Sequence, residues 1–154
     1  MFVEYRDRIE ANRLKLRELL RAPRLKYSDW SSADISKIRD AAGVYHFFEL
    51  SDDGGFVSAY VGKGGIGKNK NWGLRSRLRQ HFQPSQRHAL LGKASVALKT
   101  TPTEVKLQFI SGSMHLQWLT FPAKHDVPFT NQEEELRLFE CFAISILRPK
   151  YTAF

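Results

Sequence analysis

The chain has 154 residues, a length that fits one domain with a core large enough to fold without disulfides. Its single cysteine, Cys141, excludes an internal disulfide and a multi-cysteine zinc site, and suits a reducing cytoplasm. The formal net charge of +8, from 24 Lys and Arg against 16 Asp and Glu, favours polyanionic partners, of which nucleic acid is the commonest.

The same charge balance also fits a cationic protein without a polyanionic partner, so charge alone identifies no chemistry. No apolar run in the sequence reaches membrane-spanning length, and charged residues near the start do not resemble a signal peptide. We therefore predict a cytoplasmic protein with no membrane partner.

The first part of the chain predicts helices. An apolar stripe flanked by charged residues indicates a helix from Tyr5 to Arg21, and a second helix is predicted from Ser32 to Ala42. We therefore divide the chain into a helical extension, residues 1–42, and a main domain, residues 43–154, which together are expected to form one compact unit.

A β-hairpin is predicted next. Gly43–Phe48 and Ser58–Lys63 are rich in β-branched and aromatic residues, and the Ser51–Gly55 cluster between them is a strong turn signal. Each arm carries a tyrosine close to a glycine, Tyr45 in the first and Tyr60 in the second. Since glycine permits close approach of the backbone, we expect something bulky to lie against both tyrosines.

The segment after the hairpin, Gly64–Gly73, predicts a basic loop without a phosphate-loop pattern. Lys68 and Lys70 beside Trp72 are suited to nucleic-acid binding through phosphate contacts and base stacking. An ordinary surface loop with Trp72 in the core fits the same residues equally well.

A short, strongly basic helix is predicted over Leu74–Phe82. Arg77 and His81 are four residues apart and therefore share one face of this helix. Arg75 and Arg79 point elsewhere and are candidate nucleic-acid contacts.

Four further elements are predicted towards the C-terminus. They are a helix over Gln86–Lys99, strands over Val105–Ile110 and His115–Phe121, and an apolar helix over Glu133–Leu147, with Thr130 and Glu133 in capping-box spacing. With the hairpin, they predict an α/β (α+β) fold in which a small central mixed or antiparallel sheet is flanked by helices.

Glu140 is the most informative residue of the last helix. It shares a face with Leu136, Ala143 and Leu147, so its carboxylate is expected to face the interior or a cleft and to need a cation. Either a metal ion or Arg77 would serve, and a purely structural arginine–glutamate pair is the alternative. One carboxylate with water and a substrate phosphate suits Mg²⁺, whereas the histidine spacings match no zinc motif.

Two triplets carry a family resemblance. Gly43-Val44-Tyr45 and Tyr60-Val61-Gly62 resemble the paired motif that names the GIY-YIG nucleases, with valine in place of isoleucine in both. The order continues as in that family, with Lys63 after the second triplet, Arg77 and His81 on one helix, Glu140 on an apolar helix, and a terminal Pro-Lys-Tyr turn. The ordered set covers most of the chain, from Gly43 to Thr152.

The resemblance implies a metal-dependent endonuclease that hydrolyses DNA phosphodiesters. Tyr45 would be the general base or would position the water, and Tyr60 would share that task or contact the scissile phosphate. Lys63 would supply positive charge near both tyrosines. A free tyrosine has a pKa near 10, and neighbouring cations would favour its phenolate form.

The remaining family residues would hold the phosphate and the metal. Arg77 would bind the phosphate through its planar fork, with His81 assisting, and Glu140 would hold Mg²⁺ or Mn²⁺. Such a metal can act as a Lewis acid and neutralise the leaving 3′ oxygen.

Two departures from the family pattern bear on the function. Thr152 stands where the family often has asparagine, and the long stretch from Lys63 to Arg77 resembles restriction-type members. Double-stranded DNA is the expected partner, and a homodimer would suit a palindromic target. A non-catalytic nucleic-acid-binding module with the same fold and an RNA-cleaving nuclease are the alternatives.

Overall fold

The computed structural model describes residues 2–30, 32–65, 73–122 and 124–152. Within these residues one four-stranded antiparallel sheet has the strand order β1-β4-β2-β3. The strands are β1 (Leu25–Lys26), β2 (Gly43–Leu50), β3 (Phe56–Gly64) and β4 (Met114–Thr120). The predicted hairpin is β2 and β3, and the predicted α+β class is confirmed.

Six α-helices accompany the sheet in the described part of the chain. They are α1 (Phe2–Arg21), α2 (Ser32–Ser36), α3 (Leu74–Gln80), α4 (Leu90–Leu98), α5 (Pro102–Ser111) and α6 (Phe129–Leu147), with one 3-10 turn at Tyr27–Asp29. None of them is long and apolar enough to cross a membrane.

The strand predicted over Val105–Ile110 is wrong, because these residues belong to α5. Thr101 caps this helix by accepting a hydrogen bond from the Glu104 N–H at 3.2 Å, and Pro102 occupies its first turn. Val105 and Phe109, four residues apart, form its buried face. A helix-start signal and helical spacing outweigh the β-branched composition that favoured a strand.

The predicted second helix is also too long. α2 ends at Ser36, although Ile35 and Ile38 are both buried as expected. The carbonyl of Ala41 accepts a hydrogen bond from Leu74 N–H at 2.9 Å, and the carbonyl of Ala42 accepts one from Phe121 N–H at 2.8 Å. These carbonyls bind neighbouring elements, so the backbone here leaves the helix before β2.

Two helix starts differ from the prediction as well. The helix predicted from Gln86 begins at Leu90, and α6 begins at Phe129 after Pro128. Thr130 therefore lies inside α6, and the predicted capping role for it is wrong.

Alternation along β2 gives the sheet two covered faces. Tyr45 and Phe47 lie on the front face, in a core cluster with side chains of α2, α3, α4 and α5. Val44 lies on the back face, in a second cluster with side chains of α1 and α6. Residues of the 1–42 segment join both clusters, with Leu16 in the back cluster and Ile35 in the front one.

A closed polar network on the back face connects α1 to the sheet. The side-chain amide of Gln117 donates to the carbonyls of Leu20 and Ala22 at 3.3 and 3.2 Å, which leaves its oxygen to accept from His46 Nδ1 at 2.9 Å. Burial lowers the pKa of His46 to about 4, so the ring is neutral and its Nε2 accepts from the Ser58 hydroxyl at 2.8 Å. Every member has a protein partner.

The free edge of β3 is covered by the end of the described chain. Lys150 N–H donates to the Ser58 carbonyl at 3.0 Å, and Tyr151 N–H donates to the Ala59 carbonyl at 2.9 Å. This pairing saturates edge groups that would otherwise bind another strand, and it holds α6 beside β3.

Candidate active site

The two tyrosines lie side by side on the front face. Tyr45 is opposite Gly62 and Tyr60 is opposite Phe47, so the tyrosines are diagonal neighbours on antiparallel strands. Their ring centroids are 6.2 Å apart and the planes differ by 9°. A β-bulge at Ala59 shifts the register, which keeps Tyr60 on the front face while Ser58 turns to the back.

Gly62 is required by the ring of Tyr45. A Cβ atom on Gly62 would overlap the hydroxyl and ring carbons of Tyr45, because the ring lies flat across the strand at this point. At Gly62, the absence of a side chain thus makes room for the ring of Tyr45. The bulky group that the sequence led us to expect against both tyrosines stays a prediction.

Helix α3 presents its predicted face to this pair. Leu74 and Leu78 are fully buried and fix the helix against the sheet. Arg77 and His81 then face the tyrosines. His81 Nε2 lies 2.6 Å from the Tyr45 hydroxyl, and the His81 ring centroid is 4.7 Å from that of Tyr60.

The hydrogen bonds assign the tautomer of His81. The backbone N–H of Leu90 donates to Nδ1 at 2.9 Å, so Nδ1 carries no proton. Burial, aided by the charges of Arg77 and Lys93, lowers the pKa of His81 to about 3, so the ring is neutral. Its one proton is therefore on Nε2 and is donated to Tyr45. His81 cannot receive the tyrosine proton in this arrangement.

Tyr45 is the inner member of the pair and has no exposed surface. Burial raises its pKa well above 10, with a further increase from Tyr60, while the charge and hydrogen bond of Arg77 lower it. Arg77 favours the phenolate, as expected, but the desolvation outweighs it. In the protein alone Tyr45 is a phenol at neutral pH.

Tyr60 is the outer member, 7% exposed, and its hydroxyl bonds to no other described side chain. Burial also raises the pKa of Tyr60, opposed by Arg77. Lys93 Nζ lies 5.3 Å from the centre of the Tyr60 ring, a cation–π distance. Tyr60 is thus the tyrosine nearer to an incoming ligand.

Glu140 reaches this group from α6, which packs beside β3. It is half-buried, as expected for a carboxylate on an apolar helix, and burial raises its pKa. Four basic side chains oppose that rise, namely Lys63, Arg77, Arg137 and Lys93. The partner predicted for Glu140 is therefore a group of cations that includes Arg77.

Lys63 contributes to the site through Glu140. It pairs in register with Val44, so strand alternation directs it to the back face rather than to the side of the tyrosines. Its charge lowers the pKa of Glu140, whereas the neighbouring charges that act on both tyrosines are those of Arg77 and Glu140.

A metal ion at this site would need oxygen ligands from the substrate as well as from the protein. The described residues contain no group of three His, Cys, Asp or Glu side chains placed to hold a metal. Glu140 can supply one carboxylate, and Mg²⁺ accepts one or two carboxylates with water and phosphate oxygens completing the octahedron. The described residues therefore fit Mg²⁺ only if water and phosphate oxygens supply the ligands that Glu140 does not.

The residues predicted to contact nucleic acid do not all lie in the same environment. Arg75 forms an ion pair with Asp40 at 3.7 Å, and Asp40 also accepts from the Ser76 N–H at 3.4 Å near the start of α3. Arg79 is exposed on another side of the helix. Lys68, Lys70 and Trp72 lie outside the described residues.

Two basic residues of the site were missed by the sequence reasoning. Arg137 precedes Glu140 by three residues on α6, a helical spacing that is visible in the sequence. Lys93 on α4 carries no such signal, because only the packing of α4 brings it close to Tyr60 and Glu140.

Thr152 has a definite place beside β3. Its hydroxyl accepts from the Val61 N–H at 2.9 Å and donates to the Val61 carbonyl at 3.4 Å. It thus binds the backbone between Tyr60 and Gly62, which helps to fix the strand that carries the outer tyrosine.

Comparison with known proteins adds no assignment: no family model, curated protein or solved structure matches the chain.

Proposed function

We propose that the chain is a metal-dependent endonuclease that hydrolyses DNA phosphodiester bonds. The observation that carries this proposal is the meeting of Tyr45, Tyr60 and Arg77 with Glu140 at one place on the sheet. These residues come from two strands and two helices, and no local pattern requires them to meet. The sequence resemblance names the same set.

The charge of the site supports a phosphate ligand. Four basic side chains are close enough to lower the pKa of one carboxylate, Glu140, so positive charge near it is in excess by three. A partly buried excess of this kind attracts an anion more strongly than an exposed one, because the surrounding dielectric is lower. Arg77 is the best placed of the four to form a forked contact with a phosphoryl group beside the tyrosines.

In the proposed reaction a water oxygen forms a bond to phosphorus while the bond to the 3′ oxygen breaks. Arg77 binds the non-bridging oxygens and stabilises their developing charge. Tyr60, the outer tyrosine, orients the water. The proton lost by the water passes to the oxygen of Tyr60 in its phenolate form, because Tyr45 has no exposed surface. Cleavage should therefore accelerate with rising pH.

Tyr45 and His81 hold this arrangement. The His81 N–H donated to the Tyr45 hydroxyl and the hydrogen bond from Arg77 converge on one oxygen, which restricts the guanidinium to the tyrosine side of α3. Mg²⁺, when bound on Glu140, would supply Lewis-acid stabilisation of the leaving 3′ oxygen.

The decisive test compares two glutamates of the same helix. We expect Glu140→Gln to reduce nicking of plasmid DNA in Mg²⁺ by about 10²-fold or more, the usual scale for one electrostatic group of an active site. Glu134→Gln, an exposed control on α6, should nick like the unaltered protein. Equal nicking by both variants, with unchanged folding, would refute the proposal.

Parallel assays with labelled DNA and RNA separate the substrates. If RNA is cleaved preferentially, the proposed substrate is RNA and not DNA. Salt-dependent binding of DNA without cleavage in any divalent metal would favour the non-catalytic alternative. The cytoplasmic location, the homodimer and the restriction role stay predictions from the sequence.

A further inference from the structure

A second concavity lies beside α3, away from the tyrosine pair. Its volume is about 450 Å³, and Arg79 and Phe82 are among the residues that line it. Neither tyrosine of the pair lines it, nor does Arg77. Arg77 and Arg79 are two residues apart, so their side chains leave α3 about 200° apart. The cavity and the proposed active site are therefore on opposite sides of one helix.

Three aromatic residues, Tyr27, Trp30 and Phe82, line one part of the cavity. Tyr27 and Phe82 are stacked, with centroids 4.3 Å apart and planes 17° apart. Trp30 packs edge-on against Trp118 at 5.5 Å and is only partly buried. Rings fixed by such contacts offer a rigid apolar surface to a planar ligand at little cost in conformational entropy.

Two basic side chains complete the cavity, and none of the described residues that line it is acidic. Arg79 is exposed and Lys106 is half-buried, and neither forms an ion pair with another described residue. Their charges are thus directed at the space of the cavity or the solvent next to it. A ligand that complements this wall is both anionic and aromatic.

We propose that this cavity binds one nucleotide of the nucleic acid, with the base against Trp30 and the phosphate at Arg79 and Lys106. The volume lies within the ordinary range for small-ligand pockets, about 300–1,000 Å³. Stacking on an aromatic side chain with a neighbouring cation is a common, sequence-tolerant means of binding a strand.

The cavity is mechanically connected to the active site. The Tyr27 hydroxyl donates to the His81 carbonyl at 2.8 Å, so a residue of the cavity wall is hydrogen-bonded to the backbone of the histidine of the site. Only the width of a helix, about 10–12 Å, separates the two. The choice of nucleic acid as the ligand rests on the function proposed above.

The first test measures binding without a divalent metal, by fluorescence anisotropy of a labelled single-stranded DNA oligonucleotide. We expect Arg79→Gln/Lys106→Gln to weaken binding by roughly 10- to 100-fold. The slope of log affinity against log salt should fall by about 0.7 for each phosphate that the variant no longer neutralises on a single strand. The control Arg17→Gln/Lys26→Gln removes the same charge from exposed positions outside the cavity. Equal weakening by both double variants would overturn the proposal.

The second test distinguishes a nucleotide from a bare anion. Tryptophan fluorescence should be quenched by deoxyadenosine monophosphate, and more strongly by a short single-stranded oligonucleotide, but not by inorganic phosphate. Trp30→Phe should remove the quenching. A thermal midpoint of this variant above the assay temperature would show that it is still folded. Equal effects of phosphate and of the nucleotide would overturn the role of the aromatic wall.

Failure of this inference and failure of the nuclease proposal give different results. If no preparation cleaves DNA but Arg79→Gln/Lys106→Gln still weakens binding, the cavity is a nucleotide site on a non-catalytic protein. If the unaltered protein cleaves DNA and this double variant binds like it, the nuclease proposal survives and the cavity proposal is wrong.

Discussion

Tyr45 and His46 are consecutive residues that point to opposite faces of the sheet. Each face contains a buried neutral histidine, His46 itself on the back face and His81, beside Tyr45, on the front face. On the back face, His46 donates to Gln117 and accepts from Ser58, so its network ends in neutral protein groups. On the front face, His81 accepts from a backbone N–H and donates to Tyr45, which Arg77 also contacts.

The difference lies in where the hydrogen bonds end. The back network is closed by protein groups and connects α1 to the sheet, so its consequence is stability. The front network ends at two tyrosines, a guanidinium and a half-buried carboxylate with excess positive charge around it. Burial of a histidine alone therefore does not distinguish the two networks. The charged groups at the end of the front network do, and they are the reason why we propose the active site there.

The largest expected effect is on the front face. Arg77→Ala should reduce cleavage by about 10³-fold, equivalent to about 4 kcal/mol, because an arginine that stabilises a phosphoryl transition state contributes on this scale. Plasmid-nicking rates at saturating DNA measure it. Arg17→Ala, exposed on α1, is the control and should retain full activity.

The next effect is the pH dependence of stability from the back face. The folded pKa of His46, about 4, lies below its unfolded value of 6.5, so the unfolded chain takes up the proton first. The stabilisation is complete above about pH 6.5 and about 3 kcal/mol of it is lost as the pH falls to about 4. His81 acts in the same direction.

Urea unfolding at neutral pH and at about pH 5 measures this loss. His46→Gln should make stability less dependent on pH, since one titrating group is gone. His88→Gln, which alters an exposed histidine, should leave the dependence as it was. The same slope in all three proteins would contradict the closed neutral network.

Gly62→Ala tests the front face through the close contact between β3 and the ring of Tyr45. The added methyl would overlap the Tyr45 ring, so we expect a loss of about 1–3 kcal/mol of unfolding free energy and a displaced tyrosine. Cleavage per folded molecule should fall as well. Gly54→Ala, at an exposed turn with φ of 86°, should reduce stability without altering that rate.

Ser58→Ala should have the smallest effect, a loss of about 1 kcal/mol, because His46 Nε2 loses its donor while the rest of the back network stays in place. Its cleavage rate per folded molecule should equal that of the unaltered protein. A rate as low as that of Arg77→Ala would show that the two faces do not act separately.

Much of the fold follows from local signals. The hairpin was predictable because both arms are rich in strand-forming residues and an Asp-Gly turn joins them. Helix α5 was not, because β-branched residues at Val105 and Ile110 fit a strand equally well. The helix start at Thr101 and Pro102 was the signal that could have corrected it.

The candidate site divides in the same way. The sequence by itself determined which side chains belong together on one element, as with Arg77 and His81, because a period of 3.6 or 2 fixes the faces of helices and strands. It also supplied the motif order that joined these residues to Tyr45 and Glu140.

Only the tertiary structure decided the remaining properties. The protonation of Tyr45, the tautomer of His81 and the presence of Lys93 depend on burial and on partners far away in the chain. Desolvation and hydrogen bonding act through space, whereas sequence spacing reports only on neighbours within one element.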